Sequence, residues 1–241
     1  MSKIDSKKRI LLTDNGLSYA SAVNNLGAIN VNAAFFLTNP EYYQLVLFTG
    51  GEDVNPKVYD DTSPLGYCQY SETRDILEAK IFHVALKNDI PMIGICRGAQ
   101  FLTAMCGGKL MHHITGHTRS HHFMVTNESS YMKMEVNSLH HQMCLPGKGG
   151  YIIGWSAEKL SNIYIGDQDE ERKYKGPEVE AVLFPNFKAF AVQYHPEMMD
   201  TTTEGWKWYN KAVENLLTMS IQKFSDKYRG AKNESSAQNG D

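Results

Sequence analysis

The stretch PMIGICRGAQ, residues 91–100, decides how the rest of the chain is read. After Pro91, Met92, Ile93 and Ile95 make a short apolar run, the pattern of a buried strand, and residues 98–106 carry the spacing of a helix. Cys96 stands at the junction. Gly94 and Gly98, two before and two after it, put no β-carbon in the way of a sharp strand-to-helix turn, so Gly-x-Cys-x-Gly has the spacing of a nucleophile elbow with cysteine at its apex. A thiol placed there faces the N-terminus of a helix, where dipole and free amides stabilise a thiolate. The backbone N–H of Arg97 points into the same space and is a candidate oxyanion donor, and Gly98 permits the close approach.

Downstream, His195-Pro196-Glu197 offers the partners such a thiol needs. Proline disfavours helical backbone at the residue before it, which holds His195 extended at the end of AVQY. Residues two apart in an extended segment point the same way, so Glu197 can orient one ring nitrogen and turn the other toward Cys96. Upstream, the apolar run YQLVLF delivers the chain into Thr49-Gly50-Gly51-Glu52-Asp53. A glycine pair after a buried strand makes a tight loop with unscreened amides, and the Gly51 N–H is the best candidate for a second oxyanion donor. Asp53 either caps this loop or meets a substrate amine.

Around these motifs the chain alternates strands and helices. RILLT reads as a first strand ended by Asn15 and Gly16, and residues 15–36 as a helix, a glycine break and a second strand. In residues 71–87, Ile76, Leu77, Ile81, Val84 and Ala85 form a helical stripe that should pack on a sheet. GGKL returns toward strand structure, HFMVT and MKMEV read as antiparallel strands, and YIIGWSA, VEAVLF and AFAVQY supply three more. DQDEERKYKG is a charged, solvent-facing excursion. A final helix begins after Thr203, packs Trp206, Trp208, Tyr209, Val213, Leu216 and Leu217, and reaches Phe224. Residues 1–229 are therefore expected to form one catalytic domain and residues 230–241 a disordered tail. The alternation predicts an α/β fold whose mostly parallel sheet is covered on both faces, with the active site at the carboxyl ends of the strands.

Composition narrows the function. With 241 residues, 42% of them apolar, the chain can bury one sizeable core, and its formal charge of -3 gives no general attraction for nucleic acid or an anionic membrane. The glycine loops lack the Lys-Ser/Thr pair of a phosphate-binding loop. Neither a secretory leader nor a membrane-spanning run is evident, and the four cysteines show no paired spacing, which together suit a reducing, cytoplasmic setting. His112, His113, His117, His121 and His122 crowd together without a carboxylate at a recognisable ligand spacing. They are read as solvated or substrate-edge histidines, and no metal is assigned.

With the elbow, the His-Pro-Glu step and the Gly-Gly loop in place, the sequence resembles the class I glutamine amidotransferase-like superfamily. Within it, the resemblance is to the γ-glutamyl hydrolase branch, peptidase family C26, which includes γ-glutamyl-γ-aminobutyrate hydrolases. The matching stretches are LFTGGEDVNPKVY, ETRDILE, PMIGICRGAQFLTAMCGGKL, VNSLHHQ, PEVEAV and AFAVQYHPE, in the family's order over residues 46–197. The resemblance implies a flavodoxin-like three-layer sandwich with a mostly parallel central sheet and an additional small antiparallel sheet. It implies Cys96 as acylated nucleophile, His195 as general base and acid, Glu197 as third triad member, and Gly51 and Arg97 as main-chain oxyanion donors. Gln100 then helps shape the acyl pocket, His140 and His141 lie near the γ-glutamyl site, and Glu180 is a carboxylate ahead of the last strands. The segment between RILLT and YYQLVLF is shorter than is usual in the family, which leaves the leaving-group pocket undefined.

The implied chemistry is two-step acyl transfer on a small γ-glutamyl substrate, without a cofactor. With no synthetase or acceptor domain fused to it, free-standing hydrolysis is expected. A homodimer is compatible with it. The alternatives are an ammonia-supplying glutaminase that needs a synthase partner, and, in another class, an inactive interaction protein that has kept the fold.

Overall fold

The computed structural model describes residues 8–14, 17–61, 66–127 and 132–230. The expected Asn15-Gly16 loop and all of the expected tail beyond Gly230 lie outside the described residues. Thirteen strands follow in chain order: β1 (Arg9–Leu12), β2 (Ala28–Asn30), β3 (Tyr43–Phe48), β4 (Met92–Ile95), β5 (Lys109–Met111), β6 (His113–Ile114), β7 (Thr118–Thr126), β8 (Lys133–Leu139), β9 (Met143–Leu145), β10 (Tyr151–Ser156), β11 (Tyr164–Ile165), β12 (Val179–Phe184) and β13 (Ala189–Val192). The helices are α1 (Ala33–Thr38), α2 (Glu72–Lys87), α3 (Arg97–Met105), α4 (Glu204–Thr218) and α5 (Ile221–Arg229), with short 3-10 turns between them.

Nine strands make one sheet in the order β2-β1-β3-β4-β13-β12-β10-β7-β8. From β2 to β13 the pairings are parallel, and from β13 outward through β12, β10, β7 and β8 they are antiparallel. Two small antiparallel sheets, β11-β6 and β5-β9, stand apart. This is the expected α/β class, a large sheet with a parallel heart and small antiparallel sheets beside it.

Burial explains the strand sequences. MIGI and AFAV are apolar throughout because helices cover both faces of the sheet there, whereas β8, at the edge, largely alternates buried and exposed residues. Leu11, Val46, Phe48 and Met92 pack toward α1, α2 and α3 through Phe36, Ile81, Phe82, Phe101 and Leu102. Their neighbours Ile10, Leu45, Leu47 and Ile93 face the other way, into Val23 and into Trp208, Tyr209, Val213, Phe224 and Tyr228 of α4 and α5. The Trp-Tyr segment is thus core, with Phe190 5.8 Å from Trp208 between ring centres.

Three local expectations are corrected. Residues 17–22 form only a 3-10 turn, and the stretch after β2 turns into α1 because Asn32 caps it, its side chain accepting from the Phe35 N–H at 2.9 Å. Ile76 is 52% exposed, since the buried face in the first half of α2 is given to Arg74, Asp75 and Glu78 instead. The final helix is two helices: Met219 is extended, and Ser220 starts α5 as an N-cap to Lys223.

Candidate active site

The elbow is enforced by sterics. Cys96 has φ 52° and ψ −108°, a backbone region that costs a non-glycine residue about 1–3 kcal/mol. The turn closes because a β-carbon on Gly94 would lie 2.4 Å from the Gly98 carbonyl oxygen, and one on Gly98 would lie 2.0 Å from that of Phe48. β3, β4 and α3 therefore touch backbone to backbone at this corner. The Cys96 N–H donates to Val192 at 2.9 Å, tying the nucleophile position to β13, and its carbonyl accepts from Ala99 and Gln100 in the first turn of α3. The side chain of Gln100 is buried in that turn.

Two residues past the end of β13, Asn137 of β8 clamps the backbone of His195. The His195 N–H donates to Asn137 Oδ1 at 2.8 Å, and Asn137 Nδ2 donates to the His195 carbonyl at 2.9 Å. His195 Nδ1 faces Glu197 Oε1 at 2.6 Å, and the ring also hydrogen-bonds the Cys96 side chain. Burial pulls the imidazole pKa down, but the bonds to Cys96 and Glu197 outweigh it and raise the group to about 10. An imidazolium is thus stable between thiol and carboxylate, which is what both attack and leaving-group protonation require.

The Gly-Gly loop is built on charge. Gly51 has φ 144°, and a β-carbon there would sit 2.2 Å from Arg74 Nη1. Arg74 Nη2 donates to the carbonyls of Thr49 and Gly50 at 3.1 and 3.0 Å, and Nη1 donates to Glu52 at 2.9 Å. Arg74 Nε bonds Glu78 Oε1 at 3.1 Å, and the other Glu78 oxygen pairs with Arg97, which also pairs with Asp75. Burial pushes the Asp75 carboxyl up against the pull of Arg97. A buried ladder thus runs from the loop through α2 to the residue after the nucleophile.

Among the residues expected to bind substrate, the paired histidines part company. His141, partly exposed, bonds Asp53 Oδ1 at 3.1 Å and lies 3.3 Å from His113. Asp53 is spent on this contact and on the Gln69 N–H at 2.9 Å, so of its two expected roles it takes that of fixing the loop. His140 and Glu180 are buried, and they meet each other and His117 in a closed group away from solvent.

Arg74, Asp75, Glu78, Asn137 and Tyr19 shape this site without having been singled out from the sequence. The i,i+4 spacing of Arg74 and Glu78 was the available signal for two of them. Tyr19 reaches in from the 3-10 turn: its hydroxyl accepts from the Gly50 backbone, its ring lies 6.3 Å from His195, and a β-carbon on Gly50 would meet the hydroxyl at 2.2 Å. Burial, then Glu197 and Cys96, push its hydroxyl pKa well up, so Tyr19 stays neutral beside the thiol.

A cysteine elbow on a parallel sheet, with a histidine-glutamate pair after the neighbouring strand, defines the class I glutamine amidotransferase-like proteins. The chain belongs to the Peptidase C26 family, whose model matches residues 18–154, more than half of it. It is 37% identical over 94 residues to a putative glutamine amidotransferase-like protein of Rickettsia prowazekii, covering 39% of this chain and 32% of that one. A putative glutamine amidotransferase-like protein of Lactococcus lactis subsp. lactis is 29% identical over 173 residues, covering 63% of this chain and 65% of that one. The chain thus spans about a third of the Rickettsia relative and just under two thirds of the Lactococcus one. Among solved structures, a glutamine amidotransferase of Thermotoga maritima superposes with a TM-score of 0.54 at 14% identity, over 91% of this chain and 91% of that one. A putative GMP synthase component of Thermoplasma acidophilum superposes with a TM-score of 0.58 at 14% identity, over 91% of this chain and 96% of that one. Both are likenesses of fold alone. Among the described residues no helix is long and apolar enough to cross a membrane.

Proposed function

We propose that this chain hydrolyses a γ-glutamyl amide through a thioester on Cys96, releasing glutamate and an amine. The observation that carries the reading is the continuous hydrogen-bonded series from the Cys96 side chain through His195 to Glu197, set at a strained strand-to-helix turn.

Cys96 thiolate attacks the γ-carbonyl, and the amides of Gly51 and Arg97 receive the oxyanion. The His195 imidazolium gives its proton to the departing amine as the tetrahedral intermediate collapses to the thioester. The neutral imidazole then takes a proton from water, which attacks the thioester, and returns that proton to the sulfur as glutamate leaves. Glu197 holds Nδ1 and supports the imidazolium charge. Gln100 backs the acyl pocket, and His141 with Asp53 borders its mouth. His140 and Glu180, closed in, support the pocket from behind. No step calls for a cofactor.

The likeness to a putative GMP synthase component supports a second reading, an ammonia-supplying glutaminase that acts only with a synthase partner. Assaying the isolated chain for glutamate release across a panel of γ-glutamyl amines, γ-glutamyl peptides and free glutamine separates the two. Cleavage of at least one γ-glutamyl amine far ahead of glutamine, lost in Cys96→Ser, is the expected result. Silence across the panel, with glutaminase activity only after a synthase is added, would overturn the hydrolase.

A further inference from the structure

Four side chains that the reaction above does not engage chemically meet in the closed interior beside the end of β10. His117 precedes β7, His122 lies within it, His140 follows β8, and Glu180 is the second residue of β12. All four are buried, Glu180 and His117 completely. His117 Nδ1, His122 Nε2 and His140 Nε2 stand 3.3, 3.1 and 3.5 Å from one and the same atom, Glu180 Oε1. A carboxylate oxygen has two lone pairs and cannot accept from three rings. Neither Glu180 oxygen, neither His122 nitrogen nor His140 Nε2 in fact has a hydrogen-bond partner, although each of these atoms is out of contact with water. Protein interiors do not leave such a group of polar atoms unsatisfied without a reason.

We propose that His117, His140 and Glu180 bind a zinc-class divalent cation, with His122 completing the set. The donor atoms of the first three already lie within 4.8 Å of one another. Metal–nitrogen and metal–oxygen bonds of about 2.0–2.2 Å in a tetrahedron place neighbouring donors about 3.3–3.6 Å apart, which is the spacing of Glu180 from His117 and His140. His122, next to the same carboxylate, turns its unpartnered ring inward to close the fourth corner.

The surroundings are those of ligands rather than of a proton-sharing chain. His117 Nε2 is held by Glu178 at 3.0 Å and His140 Nδ1 by the Gln142 carbonyl at 2.8 Å, so each ring can donate outward and present its other lone pair to the ion. The Ser138 hydroxyl near His117 Nδ1 donates instead to the His117 carbonyl at 2.8 Å. Charge also balances: one dication with the carboxylates of Glu178 and Glu180 and three neutral imidazoles sums to zero, as a closed interior requires. A closed set of three nitrogens and one oxygen leaves no position for substrate, so the ion is structural. It pins β7, the end of β8 and β12 together, and it stands or falls independently of the hydrolase reading.

The test is the metal content of the untagged full-length protein, grown with zinc and purified without chelator. Elemental analysis should find about one zinc per chain, and Glu180→Gln and His140→Ala should cut it at least about tenfold. His122→Ala, where water can replace the ring, should lose zinc several-fold faster to a chelator. His112→Ala should leave the stoichiometry unchanged. Because the ligand variants could fail to fold, cobalt substitution of the wild-type chain is the second measurement. It should give the intense visible bands of four-coordinate Co2+ without a thiolate charge-transfer band. A well-folded wild type with less than a tenth of an equivalent of zinc and no thermal shift when Zn2+ is added would overturn the proposal. So would a metal content indifferent to Glu180 and His140, or a cobalt spectrum showing cysteine ligation.

Discussion

At the end of the parallel strands, His195 Nδ1 faces Glu197 at 2.6 Å; in the antiparallel half, His117 Nε2 faces Glu178 at 3.0 Å. Both pairs are buried, and in both burial pulls the imidazole pKa down while hydrogen bonds more than restore it, to about 10 for His195 and about 9 for His117. What differs is the third group. His195 turns its other edge to a thiol on a residue of positive φ, beside a loop with two glycines. His117 turns its other edge to Glu180, while Glu178 is also held by Tyr164 and by the amides of Leu160 and Ser161 at 2.9 Å each. An imidazole–carboxylate pair is thus not in itself a catalytic unit. A strained nucleophile makes it one, and a box of fixed donors makes it a brace.

The sharpest way to break this comparison is to remove the third group. Cys96→Ala should lower γ-glutamyl amide turnover by at least about 10⁴-fold, with His195→Ala nearly as damaging, while circular dichroism stays unchanged. Iodoacetamide should reach Cys96 before Cys68 and Cys144, whose thiols burial pushes up to about 11 and about 12. Equal labelling of all three in the folded protein would count against the catalytic corner.

The next effect tests the ladder beneath the site. Arg97→Met leaves Glu78 and Asp75 buried without their cation, and urea unfolding should show a loss of about 3–5 kcal/mol. A smaller effect separates catalyst from orienter: Glu197→Ala should reduce kcat by about 10²-fold, less than His195→Ala, because the ring remains and only its support is lost.

The smallest effects lie in pH, and the two pairs should differ in sign. His195, raised to about 10 from an ordinary 6.5, contributes stability that is complete below 6.5 and fades as pH climbs toward 10. The urea midpoints of wild type and His195→Gln should therefore converge on the alkaline side. For Glu178, burial pushes the carboxyl up, but the bonds from His117, Tyr164, Leu160 and Ser161 bring it down to about 2 from an ordinary 4.5. Its stabilisation is complete above 4.5 and fades as pH falls toward 2, so wild type and Glu178→Gln should converge on the acid side. Convergence of both on the same side would remove the distinction.

How much of this the sequence disclosed depended on whether the relevant groups were neighbours in the chain. The elbow could be read because Gly94, Cys96 and Gly98 act within one turn, and His195 with Glu197 because proline fixes the backbone between them. The ladder escaped because α2 carries its buried charges where a helix usually carries leucines; Ile76 was expected inside and lies outside. The break before Ser220 was missed because Val213, Leu216 and Phe224 keep an apolar rhythm across it. The group around Glu180 was out of reach, since its members come from residues 117, 122, 140 and 180 and share no spacing. Only strand pairing brings them together. Tyr19 likewise arrives through a short 3-10 turn whose place is set by packing against the residues after His195 rather than by its own sequence, with Ser21 Oγ donating to the Glu197 carbonyl at 3.0 Å.

The ladder also decides what can be tuned. Because Arg74 grips the Thr49 and Gly50 carbonyls while sharing Glu78 with Arg97, the amides proposed to receive the oxyanion stand on one foundation and move as one body. Salt cannot screen a connection so well enclosed, and no surface contact reaches it. Any control over when the site is competent must enter from the other side, through the turn that carries Tyr19. That turn rests on Gly50 and on the backbone after His195 and touches none of the buried charges except Arg74, so it is the one wall of the site that can swing while the floor stays still.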